Sequence, residues 1–152
     1  MGINNLFVVG TGFMGSGILE NAAQKGVNVV AYDAFKEQLE KSQNTLIQKM
    51  DRKISKGRMT EADKAAILDK IEYTPDLSRC KDAEIIIEAV SEKSALKISI
   101  MKEVEKYAKK DAVIATNTSS ISITKIGSAL KDPSRFLGMN RTAQNLRRNT
   151  NG

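Results

Sequence analysis

Three glycines in Gly10-Thr11-Gly12-Phe13-Met14-Gly15 are spaced G-x-G-x-x-G directly behind an apolar run, Leu6 to Val9. Glycine turns are common, but in that context the spacing suits the close approach of backbone N–H groups to an anionic phosphate at the start of a helix. Gly10 would permit the tight turn, Gly12 the approach of backbone to a pyrophosphate, and Gly15 the packing of helix on strand. A second apolar run, Val27 to Tyr32, ends on Asp33, 18 residues after Gly15. An acid there accepts hydrogen bonds from adenosine ribose hydroxyls and repels a 2′-phosphate, which favours NAD over NADP. The plainer alternative is a glycine turn and an Asp that caps a strand end. Lys49, Arg52, Lys53 and Lys56 fall at i, i+3, i+4 and i+7. They are expected on one helical face, opposite a seam of Leu46, Met50 and Ile54, either as a solvated face or to meet a multiply charged ligand. Asn117-Thr118-Ser119-Ser120 follows the run Val113 to Thr116, at the edge where open parallel sheets place ligands, although the same residues make a good loop and N-cap. The chain has one cysteine, Cys80, and no histidine, so it assembles neither a Cys/His metal site nor a histidine dyad, and no metal is expected.

These residues need elements to hold them in register. Met14 to Lys25 carries Ile18, Leu19, Ala22 and Ala23 at helical spacing, between the two apolar runs. Leu39, Leu46, Ile47, Met50 and Ile54 continue a 3.6-type period to a stop at Gly57, and Thr60 is placed as N-cap of a second helix running to about Lys70. Strands are expected at Ile71 to Thr74, Glu84 to Val90, Val113 to Thr116 and Arg135 to Met139, and helices at Ala95 to Tyr107 and Ile123 to Leu130. Strands alternating with helices of these lengths predict an α/β fold. It is a Rossmann-type, doubly wound parallel sheet with a helical hairpin inserted after the second strand.

Composition narrows the function classes. The 152 residues are one domain's worth of chain, 41% apolar and 28% charged, which excludes disordered and fibrous classes. A lone cysteine suits a reducing interior. No stretch approaches the roughly 18 apolar residues of a membrane span, and the N-terminus lacks the basic region of a leader. The chain therefore reads as cytoplasmic and free of membranes. The formal charge is +6, and Arg141, Arg147 and Arg148 supply half of it, leaving only +3 to residues 1–139. A nucleic-acid partner is not expected.

Taken together, VVGTGFMGSGI at 8–18, AYD at 31–33, IIEAVSE at 86–92 with Lys97 following, ATNTSSISIT at 115–124 and PSRFLGM at 133–139 resemble the 3-hydroxyacyl-CoA dehydrogenases, including the 3-hydroxybutyryl-CoA dehydrogenases. The resemblance runs from residue 3 to residue 139. It implies reversible oxidation of a 3-hydroxyacyl-CoA to the 3-oxoacyl-CoA with NAD. It implies cofactor contacts from Gly10, Gly12, Phe13, Met14, Gly15, Asp33, Ala89, Glu92, Lys97 and Asn117. Ser119 would hydrogen-bond the substrate oxygen, and Arg52 and Lys56 would meet the phosphates of coenzyme A. Read from the residues alone, Glu92 and Lys97 are more readily an ordinary helix-start pair on a solvated face.

The likeness breaks after Met139. The family continues into a histidine that takes the proton of the 3-hydroxyl, and this chain has Asn140, which has no titratable nitrogen. The 13 residues from Asn140 contain four Asn and three Arg, whereas residues 1–139 hold all 17 Lys and four Arg. Such a change of usage suggests a shifted reading frame or a cloning scar, and a natural linker or nucleic-acid arm is the rival account. The expectations are a cofactor-binding domain over 1–139, an aberrant tail over 140–152 and a missing C-terminal helical domain. The chain should bind NAD without turnover and self-associate through the surface left bare. The alternative is a stand-alone nucleotide-binding or regulatory module.

Overall fold

The computed structural model describes residues 4–89, 94–116 and 136–138, with the side chains of residues 13, 94–97 and 136–138 outside that description. Strand β1 (Asn5–Val9) leads into helix α1 (Phe13–Gln24), β2 (Asn28–Tyr32) and the hairpin α2 (Lys36–Ser55) and α3 (Glu61–Asp69). Then come β3 (Ile71–Thr74), a short 3-10 helix (Leu77–Asp82), β4 (Ile85–Glu88), α4 (Ser94–Tyr107), β5 (Val113–Thr116) and β6 (Phe136–Gly138). All six strands pair in parallel, in the order β3-β2-β1-β4-β5-β6. This is the doubly wound order, with its switch point between β1 and β4.

Apolar alternation along β1 sorts the core into two layers. Leu6 and Val8 pack with Leu19, Val29, Leu46, Met50 and Ile67 beneath α1 and the hairpin. Phe7 and Val9 pack with Cys80, Ile86, Met101, Val104 and Ile114 beneath α4. A sheet covered on both faces favours strands that are apolar on both sides, which is why residues 6–9 and 85–87 read as continuous runs.

The hairpin follows its sequence signals. Leu39, Ser42, Leu46 and Met50 form the buried seam of α2. After the last turn the chain reverses at Gly57, with φ +71°, where Gly57 N–H donates to the Ile54 carbonyl and Arg58 N–H to that of Lys53. Thr60 opens α3 with a reciprocal pair of bonds: Asp63 N–H donates to Thr60 Oγ1 at 3.1 Å, and Thr60 N–H to Asp63 Oδ2 at 3.1 Å. The 3-10 helix was not foreseen. It is a single short turn with no periodic signal, started by Asp76, whose Oδ1 accepts from Ser78 N–H and Oγ. It buries Cys80 against α4.

Strand ends shift by a residue or two from expectation: β4 stops at Glu88 instead of Val90, and β6 is Phe136–Gly138. The helix expected over 123–130 lies outside the described residues. Among the described residues no helix is long and apolar enough to cross a membrane.

Candidate functional site

Strand register sets up the site. Tyr32, Val9, Glu88 and Thr116 are paired across β2, β1, β4 and β5 in one row. The residues that follow the first three in sequence, Asp33, Gly10 and Ala89, therefore emerge side by side at the carboxyl edge, across the switch point.

Gly10 turns the chain with φ 103°, a conformation open to glycine, and its N–H donates to the Tyr32 carbonyl at 2.8 Å. Gly15 is demanded by contact, because a Cβ there would lie 1.9 Å from the Gly10 carbonyl oxygen. Gly12 is a different case. Its backbone is extended, and an added Cβ would meet no protein atom within 4 Å. Neither packing nor conformation asks for glycine at 12, and the open space beside it belongs to a cleft. Gly12 is also the N-cap of α1, with no side-chain capping bond and no acid in the first turn. The positive end of the helix thus faces the cleft with no acid of its own first turn to satisfy it.

Asp33 is held rigidly. Its Oδ2 accepts from Thr11 N–H at 3.2 Å and from Thr11 Oγ1 at 3.1 Å, and its Oδ1 accepts from Phe35 N–H at 3.2 Å. A carboxylate takes about four hydrogen bonds, so Oδ1 keeps room for a further donor. Thr11 is buried, and its carbonyl accepts from Ser16 Oγ at 3.0 Å and Gln38 Nε2 at 3.1 Å. Because the Ser16 proton goes to Thr11, Ser42 is the donor in the 2.9 Å contact between the two serine hydroxyls. The loop is thereby tied to α1 and α2 together. Burial, and after it the Asp33 charge, holds the Tyr32 hydroxyl above its ordinary range, so it stays protonated.

The cleft has a volume of about 710 Å³, within the size of small-molecule sites. Its lining includes Gly10, Gly12, Asp33, Phe35, Gln38 and Ala89. Of the residues singled out by sequence, Gly10, Gly12, Asp33 and Ala89 come together there, and Gly15 supports the turn from behind. Met14, in the first turn of α1, is half exposed. Lys97 falls in the first turn of α4, with its side chain undescribed like that of Phe13. Glu92, Asn117, Ser119 and Asn140 lie outside the described residues.

The basic stripe is corrected. Lys49 and Lys53 do not stand opposite the apolar seam as one solvated face with Arg52 and Lys56, since they reach α1 and pair with Glu20 at 2.8 and 3.4 Å. Glu20 is nearly buried, and the lysines neutralise it where the hairpin docks. Arg52 and Lys56 are exposed, with no ion pair among the described residues, and Lys56 sits at the C-cap of α2.

Sequence reasoning missed Thr11, Phe35 and Gln38. Thr11 stands at a variable position of the motif, and its two bonds to Asp33 are made across 22 residues. It also missed Glu88, wholly buried at the end of β4, which accepts a hydrogen bond from Thr116 Oγ1. Both partners immediately precede segments of the expected site, Ala89 and Asn117. Cys80 is no nucleophile, because burial pushes its thiol up to about 11.

Known proteins resemble this chain in sequence and fold. The family model for the NAD binding domain of 3-hydroxyacyl-CoA dehydrogenase matches residues 5–140. A 3-hydroxybutyryl-CoA dehydrogenase of Mycobacterium tuberculosis is 38% identical over 138 residues, covering 90% of this chain and 48% of that protein. Among solved structures, M. tuberculosis FadB2 superposes with a TM-score of 0.86 at 37% identity, over 91% of this chain and 49% of that one. The (S)-3-hydroxybutyryl-CoA dehydrogenase PaaH1 of Ralstonia eutropha does so with 0.85 at 38%, over 90% and 48%. The chain thus spans about half the length of the relatives it matches.

Proposed function

This chain belongs to the 3-hydroxyacyl-CoA dehydrogenase family, and from that premise we propose that residues 1–139 form its NAD-binding domain and act as the half of the active site that holds and aims the cofactor. Gly12 is the observation that carries the reading. It is a glycine whose added Cβ would meet no atom of the described residues within 4 Å, at a helix start with no side-chain cap, lining the same cleft as a fixed carboxylate. An extended dinucleotide uses both ends of that arrangement. The N–H groups of the loop from Gly10 to Gly15 receive the pyrophosphate. Asp33 accepts from the adenosine ribose through Oδ1, and its charge turns away a 2′-phosphate.

The remaining roles rest on the family pattern. Ala89 lets the dinucleotide pass close over β4. Glu92 and Lys97 flank the nicotinamide ribose, Asn117 seats the nicotinamide, and Ser119 hydrogen-bonds the oxygen of a 3-hydroxyacyl-CoA. Arg52 and Lys56 meet the coenzyme A phosphates, a role suited to the two stripe cations that have no counter-charge among the described residues. Bound NAD supplies a hydride acceptor. What these 152 residues do not supply is the base: the chain has no histidine, and Asn140 follows Phe-Leu-Gly-Met where the family has one. The expected behaviour is saturable NAD binding with no NADH-linked reduction of acetoacetyl-CoA.

The missing imidazole equally suits a nucleotide-binding module that never performs redox chemistry. Titration of acetoacetyl-CoA onto the NAD-loaded chain separates the two readings. Heat of binding that is lost in Arg52→Ala/Lys56→Ala identifies the dehydrogenase half, whereas NAD binding with indifference to acyl-CoA identifies the module. Absence of NAD binding by calorimetry would remove both.

A further inference from the structure

Position 35 departs twice from what folding alone would select. Phe35 is the N-cap of α2, where Ser, Thr, Asp or Asn would supply a capping bond, and its side chain supplies none. Its ring is 72% exposed, the most exposed large apolar side chain among the described residues. Neither choice helps the fold. Both point into the cleft that Phe35 lines, two residues beyond Asp33, with its backbone N–H fixed to Asp33 Oδ1 at 3.2 Å.

We infer that the Phe35 ring is the stacking platform for the purine base of the bound dinucleotide, facing apolar Ala89 and Ile100 across the cleft. The inference rests on the proposed NAD site and extends it to a residue that reads the base. A ribose whose hydroxyls meet Asp33 carries its base on the carbon next to C2′, so the base lies within a residue's reach of the acid. Phe35 is anchored to that acid through its own N–H. Ala89 and Ile100, on the β4 and α4 side, also line the cleft. A planar aromatic base between an exposed ring and an aliphatic wall buries both faces without asking for a hydrogen bond.

The chain has no tryptophan, so Phe35→Trp introduces a fluorophore that reports this position alone. ADP and NAD should each quench its emission saturably, and nicotinamide mononucleotide should not. Phe35→Ala should weaken ADP and NAD by about tenfold or more. Phe35→Leu, apolar but without a π face, should recover less than half of that loss on a logarithmic scale. Position 35 is exposed, so each variant should unfold at the wild-type urea midpoint. If wild type binds NAD and ADP while Phe35→Ala binds them equally well and Phe35→Trp emission does not move, the stacking inference is overturned and the NAD site stands. Wild-type affinity in Phe35→Leu would reduce the contact to general burial and overturn stacking likewise. A wild-type chain that binds neither nucleotide removes this inference together with the site it rests on.

Discussion

Gly12 and Gly15 are three residues apart in one motif and answer to different physics, which gives them opposite mutational signatures. Gly15→Ala drives a methyl to 1.9 Å from a backbone carbonyl that cannot swing aside. It should cost about 1–3 kcal/mol of stability, as overpacking does, and lower the urea midpoint. Gly12→Ala meets nothing within 4 Å in a backbone any residue adopts, so its urea midpoint should match wild type. Its NAD affinity should fall by about tenfold or more if the open space the methyl enters is the proposed pyrophosphate site. Equal NAD affinity in Gly12→Ala would remove the argument from that open space. Asp33 is tested by ratio. Asp33→Ala deletes the carboxylate proposed to accept from the ribose and to oppose a 2′-phosphate, so the preference for NAD over NADP measured by calorimetry should collapse. A preserved preference would assign discrimination to another group. The glycines and Asp33 were legible because the motif fixes their types. Thr11 was not, because its hydroxyl finds Asp33 only when β1 and β2 lie side by side.

At the scale of elements, the strands and α-helices of the described residues were readable to within a residue or two because parallel strands covered on both faces are largely apolar runs, and because Gly57 and Thr60 punctuate the hairpin. What periodicity could not supply was the partner of a face. Lys49 and Lys53 fell in the right helix on the wrong argument: helical spacing gives an angle, and Glu20 on α1 decides what lies at that angle. Glu20→Ala should lower stability by about 1 kcal/mol or less, because Lys49 is more than half exposed and solvent screens the pair. A loss of several kcal/mol in urea titration would mean that the pair is buried in solution. The 3-10 helix carries an alkaline signature. Burial raises the Cys80 thiol from 9.0 to about 11 and also lifts Tyr73 above its ordinary value. Each group ionises sooner in the unfolded chain, which then holds fewer protons than the native one, so stability falls as pH rises. The Cys80 contribution is complete below pH 9 and is lost as pH climbs from 9 toward about 11. Urea midpoints across that interval should slope downward, and Cys80→Ala should flatten part of the slope. An unchanged slope in Cys80→Ala would show that the thiol does not contribute.

For the whole molecule, the question is whether one residue separates a binding domain from an enzyme. Asn140→His supplies the residue type that the resemblance leads one to expect after Phe-Leu-Gly-Met, and it should not restore activity. A general base has to lie within hydrogen-bond reach of the substrate hydroxyl and in the right tautomer, which requires groups that orient the imidazole. The 13 residues from position 140 offer almost nothing apolar to pack it, only Ala143 and Leu146. The solved relatives that superpose on this chain are about twice its length. Misplacement by about 1 Å can cost on the order of a hundredfold in rate. The reacting carbon must also be shielded from water while the hydride moves. Asn140→His should therefore bind NAD as wild type does and reduce acetoacetyl-CoA at background rate. A chimaera joining the C-terminal half of a related dehydrogenase in frame after Met139 should turn over, because it brings the base, its orienting groups and the cover together. The two proteins assayed side by side for NADH oxidation decide the matter. Substantial turnover by Asn140→His alone would show that the first domain already positions the imidazole, and an inactive but folded, NAD-binding chimaera would show that its cofactor half is not built to face that partner.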